Sequence, residues 1–125
     1  MSAPLVLVVE DTGPGARLMG ELVALAGGRA ALAANGAEAL RLAAAEAPAL
    51  VLMDLRLPDG DGREWARRIR SLAGLESVPV WACSGLLPEA LLAEEWADVP
   101  FSGWIGKPFE IAEVLAKLRA ALARP

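Results

Sequence analysis

The sequence predicts a three-layer α/β fold, a parallel sheet with helices on both faces, and three observations carry that prediction. Five short apolar runs alternate with five stretches of helical periodicity, the pattern of repeated βα units. The connections are short and marked by Gly, Pro, Asn or Asp, so successive strands are expected to be parallel and joined by right-handed crossovers. Two of the runs, residues 5–9 and 50–53, are apolar throughout, which suits strands covered on both faces. With 125 residues, 55% of them hydrophobic, one core and one domain over residues 1–125 are expected.

Each element has a local reason. The first run stops at Glu10-Asp11, and a loop with Gly13, Pro14 and Gly15 leads into a helix whose Leu18, Met19, Leu22, Val23 and Ala26 recur at helical spacing. Gly27-Gly28 ends that helix as C-cap glycines do. A weaker second strand covers residues 29–34, and Asn35 with Glu38 three residues later reads as a capping box for a helix reaching about Glu46. Pro48 closes the unit. The third strand, residues 50–53, ends on Asp54 and is followed by the turn-rich Leu57-Pro58-Asp59-Gly60-Asp61-Gly62. A helix carrying Trp65, Ile69 and Leu72 comes next. The fourth strand is expected over residues 78–83 with Pro79 near its start, Ser84-Gly85 breaks it, and Pro88 suits the first turn of a fourth helix. A short fifth strand, residues 102–106, ends at Lys107-Pro108. The last helix shows Ile111, Val114, Leu115, Leu118 and Leu122 on one face.

Composition removes several classes of function. The net charge is −4, which argues against an electrostatic footprint for nucleic acid or anionic lipid. The one cysteine, Cys83, has no partner for an internal disulfide, and neither a signal peptide nor a run long enough to span a bilayer is present, so a cytoplasmic protein is expected. The chain has no histidine. A Ser-His-Asp triad, a His-ligated zinc and a histidine general base are thereby excluded.

In open parallel sheets, ligands bind beyond the carboxyl ends of the strands. At those ends stand Glu10 and Asp11, then Asp54, then Ser84, then Lys107. Three clustered carboxylates repel one another without a cation, so the set points to an oxygen-ligated divalent metal, and Mg²⁺ fits best because it takes hard oxygen ligands alongside substrate phosphate. A metal, an ammonium and a hydroxyl around a carboxylate can together hold the oxygens of a phosphoryl group. Phosphoryl transfer is the chemistry suggested. Lysine usage agrees: of 12 basic residues only Lys107 and Lys117 are lysine, and Lys107 offers a compact point charge where arginine would impose a planar fork. The Lys107-Pro108 bond is a candidate cis peptide.

Four motifs in this order, Leu7-Val8-Val9-Glu10-Asp11, Asp54 within Leu52-Met53-Asp54-Leu55-Arg56-Leu57-Pro58-Asp59-Gly60-Asp61-Gly62, Ser84, and Lys107-Pro108-Phe109, resemble the receiver domains of two-component response regulators. The resemblance covers essentially the whole chain. It implies a flavodoxin-like (βα)5 fold like that of the chemotaxis regulators, with a five-stranded parallel sheet in the order 2-1-3-4-5. It implies that Asp54 accepts a phosphoryl group from a histidine kinase or histidine phosphotransfer protein, and that Glu10, Asp11, Asp54 and the backbone carbonyl of Arg56 hold Mg²⁺. Lys107 and Ser84 would each meet a phosphoryl oxygen. Trp104 falls where the family usually has Tyr or Phe, a ring that turns inward as the loop after the fourth strand closes. A downstream effector protein would bind the face of the fourth helix, fifth strand and fifth helix. No direct contact with nucleic acid or membrane is implied, and no turnover beyond the domain's own phosphorylation and dephosphorylation.

Singly, these residues have plainer readings: Glu10-Asp11 as a solvated cap, Asp54 as a loop carboxylate, Ser84 as a turn hydroxyl, Lys107 as a surface lysine, Trp104 as core. Their coincidence at four strand ends favours the functional reading. Three rivals are weighed against it. A dinucleotide-binding domain is disfavoured because Glu10-Asp11 would repel a pyrophosphate. An aspartyl-phosphate hydrolase would carry a second Asp two residues after the nucleophile, where this chain has Arg56. A degenerate receiver that binds partners without phosphorylation would not need the full acidic set. Two departures from the family stand out: residues 86–100 carry Glu94-Glu95-Trp96-Ala97-Asp98 in place of the usual lead into the fifth strand, and Thr12-Gly13-Pro14-Gly15 is glycine-rich. The expectation is a stand-alone receiver.

Overall fold

The computed structural model describes residues 3–85 and 101–123. Its first half comprises β1 (Leu5–Val9), α1 (Gly13–Leu25), β2 (Arg29–Ala33), α2 (Gly36–Ala45) and β3 (Leu50–Asp54). A two-residue pair, β4 (Arg56–Leu57) and β5 (Gly60–Asp61), precedes α3 (Gly62–Arg70), and β6 (Val80–Ser84), β7 (Gly103–Gly106) and α4 (Ile111–Leu122) complete the described part. The main sheet is five-stranded in the order β2-β1-β3-β6-β7, and each neighbouring pair is parallel. That is the flavodoxin-like order 2-1-3-4-5 expected for five main strands.

The apolar strands are explained by two cores, one on each face. Along β1, Leu7 and Val9 pack with Val51, Met53, Ala66 and Ile69 on the side of α2 and α3. Val6 and Val8 alternate to the other face, against Met19, Leu22, Val23 and Leu118 of α1 and α4. Strand side chains alternate with period two, so a strand with no solvent face must be apolar at every position. Each fully buried aliphatic side chain here contributes about 1.5–3 kcal/mol.

Helix ends follow the sequence signals. Gly27 adopts φ +98° and the amide of Gly28 donates to the Val23 carbonyl at 2.9 Å, a Schellman-type close to α1. At the start of α2 the Asn35 side chain accepts from the Glu38 amide at 2.8 Å, and the Glu38 carboxylate accepts from the Ala34 amide at 2.9 Å. The capping box is thus reciprocal, with its return bond one residue earlier than in the standard form. β2 ends at Ala33, whose carbonyl accepts the last bond from the β1 side, from the Glu10 amide at 3.0 Å.

Other expectations are corrected. The fourth main strand runs Val80–Ser84 and not over residues 78–83. Pro79 has no amide to donate, and pairing opens on its carbonyl, which accepts from the Val51 amide at 3.0 Å. Ser84 is therefore the last strand residue and not a turn hydroxyl. The next strand begins at Gly103, one residue later than expected. Ile111 was expected on the buried face of the last helix but is 52% exposed; it occupies the first turn, at the rim of the cleft described below. The turn-rich stretch after Asp54 also holds a short antiparallel hairpin, β4-β5. The expected helix opened by Pro88, and the departures within residues 86–100, lie outside the described residues.

Candidate functional site

Strand register brings the acidic, hydroxyl and lysine positions to one edge. Val9 lies beside Met53, Asp54 beside Cys83, and Ser84 beside Gly106. The residues that follow these ends must then converge. The Lys107 amide donates to the Ser84 carbonyl at 3.1 Å, extending the last pairing by one residue, and the Lys107-Pro108 peptide bond is cis.

The Lys107 ammonium lies 3.1 Å from Asp54 Oδ2 and 2.9 Å from Glu10 Oε1. It joins two carboxylates at the ends of different strands, Asp54 closing β3 and Glu10 following β1. Asp54 is buried, at 7% exposure, and its other oxygen, Oδ1, accepts from the Arg56 amide at 3.0 Å. Asp11 is exposed at the mouth of the same cluster, and carboxylate oxygens of Glu10, Asp11 and Asp54 lie within 4.8 Å of one another. One ammonium does not neutralise three carboxylates. The set is chemically suited to a divalent cation with hard oxygen ligands, and Mg²⁺ fits it. The cleft above has a volume of about 850 Å³. Its polar floor is Glu10, Asp11, Asp54, Ser84 and Lys107, and its apolar wall includes Leu18, Phe109 and Ile111.

Electrostatics at the floor run in opposite senses. Burial raises the Glu10 pKa, the hydrogen bond from Lys107 lowers it, and the nearby Asp54 raises it again, for a net rise. Burial lowers the Lys107 pKa, but its bonds to Glu10 and Asp54 outweigh that and hold it above the ordinary lysine value. The ammonium is therefore charged at neutral pH. Cys83, one residue from Ser84, is different: burial pushes its thiol up to about 12, which makes it a small core group without nucleophilic character.

The structure thus brings Glu10, Asp11, Asp54, Ser84 and Lys107 together and puts Arg56 in contact with Asp54 through its amide. Trp104 is half-buried on β7 and packs against the core on the side of α2 and α3. Its indole N–H is buried with no hydrogen-bond partner among the described residues. Gly62 was missed by sequence reasoning. A side chain there would come within 2.1 Å of the Asp54 carbonyl oxygen, so only glycine lets the start of α3 approach the backbone of the site residue. Asp59 was read only as a turn residue, yet its carboxylate accepts from the amides of Gly36 and Ala37, at 2.9 Å each. Turn chemistry flags that stretch, but the partner 23 residues upstream is a tertiary fact.

Comparison with known proteins agrees with this geometry. Residues 6–119 match the family described as response regulator receiver domain. The chain is 34% identical over 119 residues to the KDP operon transcriptional regulatory protein KdpE of Escherichia coli, covering 95% of this chain and 51% of that protein. It spans about half the length of the curated relatives it matches. Among solved structures, chemotaxis protein CheY4 of Vibrio cholerae superposes with a TM-score of 0.86 at 25% identity, covering 97% of this chain and 100% of that one. The receiver domain of sensor histidine kinase PA1611 from Pseudomonas aeruginosa, with magnesium coordinated in its active site cleft, gives a TM-score of 0.79 at 28% identity, covering 97% of this chain and 98% of that one. Matched along nearly its whole length, and with the sheet order and acidic edge expected of such a domain, the chain belongs to the response regulator receiver domain family.

Proposed function

We propose that this domain is a Mg²⁺-dependent phosphoacceptor whose reactive group is Asp54. The observation that carries the reading is the Lys107 ammonium held between Asp54 and Glu10, at 3.1 and 2.9 Å, beside a third carboxylate. Glu10, Asp11, Asp54 and the Arg56 carbonyl would hold the ion. Bound there, Mg²⁺ would neutralise charge on the phosphoryl oxygens.

The chain's own residues supply the rest. A carboxylate oxygen of Asp54 attacks the phosphorus of a phosphohistidine on a histidine kinase or phosphotransfer protein. The O–P bond forms as the N–P bond breaks, and the imidazole nitrogen keeps the electron pair. Lys107, already charged, exchanges its contact with Asp54 for one with a phosphoryl oxygen. The Ser84 hydroxyl, on the last residue of β6 beside Gly106, would meet another. Such a receiver needs no histidine, because the donor histidine belongs to the partner.

Phosphorylation then changes what the domain binds. Trp104 is the proposed reporter and switch, a half-buried ring on β7 whose indole N–H has no hydrogen-bond partner among the described residues. The face bearing β7 and α4 is the proposed surface for a downstream protein. Beryllium fluoride with Mg²⁺ tests this reading through tryptophan emission. A change in the wild type, abolished in both Asp54→Asn and Trp104→Phe, is expected. Unchanged emission in a protein shown by calorimetry to bind the analogue would remove Trp104 from the mechanism and leave Asp54 in it.

A further inference from the structure

The segment after Asp54 is anchored at both ends, and its outer anchor lies on a different helix. At the inner end, the Arg56 amide donates to Asp54 Oδ1 at 3.0 Å. Within the hairpin, Arg56 pairs with Asp61 and Leu57 with Gly60, while the Gly62 amide donates to the Leu55 carbonyl at 3.0 Å. Antiparallel pairs alternate between hydrogen-bonded and non-hydrogen-bonded, so the bond at Leu55 and Gly62 makes Arg56-Asp61 a non-hydrogen-bonded pair. The N–H and C=O of Arg56 then both face out of the hairpin. They face the same side, and the N–H is on Asp54.

At the outer end, the Asp59 carboxylate bridges the first two amides of α2, Gly36 and Ala37, at 2.9 Å each. The Asp59 carbonyl accepts from Trp65 Nε1 at 3.3 Å. The Trp65 ring lies so close to Gly36 that a Cβ at that position would fall 2.2 Å from ring carbons. Gly60, at φ +137°, sits against the same indole. The tip of the hairpin is therefore pinned to the start of α2 by a bidentate carboxylate and a packed ring.

We propose that Asp59 is a positioning residue for the phosphoacceptor site, holding the β4-β5 hairpin so that the Arg56 peptide is set toward Asp54 before a cation arrives. This rests on the reading of the cleft given above. Asp59 is exposed and its carboxylate bonds run to Gly36 and Ala37, not to a site residue, so it acts through the hairpin. Groups hydrogen-bonded directly to metal ligands change metal affinity about tenfold or more when lost; Asp59 acts one link further out, and its effect is correspondingly smaller.

The test is Mg²⁺ binding by titration calorimetry on the full chain, for wild type and for Asp59→Ala, Asp59→Asn, Asn35→Ala and Asp54→Asn. Circular dichroism confirms that each variant is folded at the temperature used. Asp59→Ala is expected to weaken Mg²⁺ binding about fivefold, below the roughly tenfold or more of a group bonded directly to a ligand, with Asp59→Asn between it and wild type because the amide oxygen can still accept one N–H. Asn35→Ala removes the other side-chain cap of α2 without touching the hairpin, and is expected to bind within about twofold of wild type. Wild-type affinity in Asp59→Ala, or equal weakening in Asn35→Ala, overturns the proposal while leaving Asp54 in its role. Mg²⁺ binding that is absent from wild type, or identical in Asp54→Asn, overturns both.

Discussion

Lys107 and Asp54, 53 residues apart in sequence, meet at 3.1 Å across the carboxyl edge of the sheet. The contact exists because β3 pairs with β6 and β6 with β7, which places their ends in register. It also joins the one strongly placed ammonium of the cleft to its most buried carboxylate.

Removing that ammonium has a definite sign. Lys107→Ala leaves Asp54 and Glu10 facing Asp11 without compensation, and is expected to destabilise the metal-free protein by about 1–2 kcal/mol. The side chain of Lys107 is 35% exposed, which keeps the cost well below that of a fully buried pair. Mg²⁺ should then raise the melting temperature of the variant more than that of wild type, because the ion replaces the lost charge. Phosphorylation by acetyl phosphate should fall about 10²-fold or more. Thermal melts with and without Mg²⁺, and the rate of adduct formation, check both statements.

Glu10 gives a pH dependence of the opposite kind to most carboxylates. Its pKa in the folded protein is raised by burial, against the opposing pull of Lys107. The folded state therefore binds its proton more tightly than the unfolded state, and this group favours folding below the ordinary glutamate pKa and opposes it as pH rises through the raised value. Asp61 behaves conversely. Burial would raise its pKa, but bonds from the Arg63 side chain and amide outweigh that and lower it, so its contribution is present at neutral pH and lost as pH falls through its folded value. Glu10→Gln should raise the stability of the metal-free protein at neutral pH, with the gain vanishing in acid below the normal glutamate range. Urea unfolding across pH measures this, and a gain that persists unchanged in acid would contradict it.

Two glycines separate conformational need from composition. Gly62→Ala would place a methyl within 2.1 Å of the Asp54 carbonyl oxygen, a backbone atom that cannot swing aside. A loss of about 2–3 kcal/mol is expected, together with weaker Mg²⁺ binding because the backbone of Asp54 must move. At Gly13 the nearest atom to such a methyl is an Arg17 side-chain nitrogen at 4.0 Å, and Gly13→Ala should be neutral or stabilising by up to about 1 kcal/mol. Denaturant midpoints of the two variants decide the matter.

The parts of the fold legible in sequence were those written in period and punctuation. The continuous apolar run of β1, the capping box at Asn35 and Glu38, and the glycine close of α1 each name their structure locally. The acidic edge was legible for a related reason: parallel strands with short loops must bring Glu10, Asp54, Ser84 and Lys107 to the same side. What escaped were contacts between elements distant in sequence. The bond from the Gly36 amide to Asp59 and the close approach of Gly62 to Asp54 depend on how α2 and α3 lie against the hairpin, and no local pattern encodes that. Ile111 escaped because helical spacing locates a face but not where along the helix the core ends.

The central claim is that Asp54 receives the phosphoryl group, and intact-mass spectrometry after incubation with acetyl phosphate and Mg²⁺ tests it most directly. Wild type should gain the mass of one phosphoryl group, lose it when Mg²⁺ is withheld by a chelator, and show it mapped to the peptide containing Asp54; Asp54→Asn should gain none. An unmodified wild type, or an adduct of the same yield on Asp54→Asn, would contradict the account.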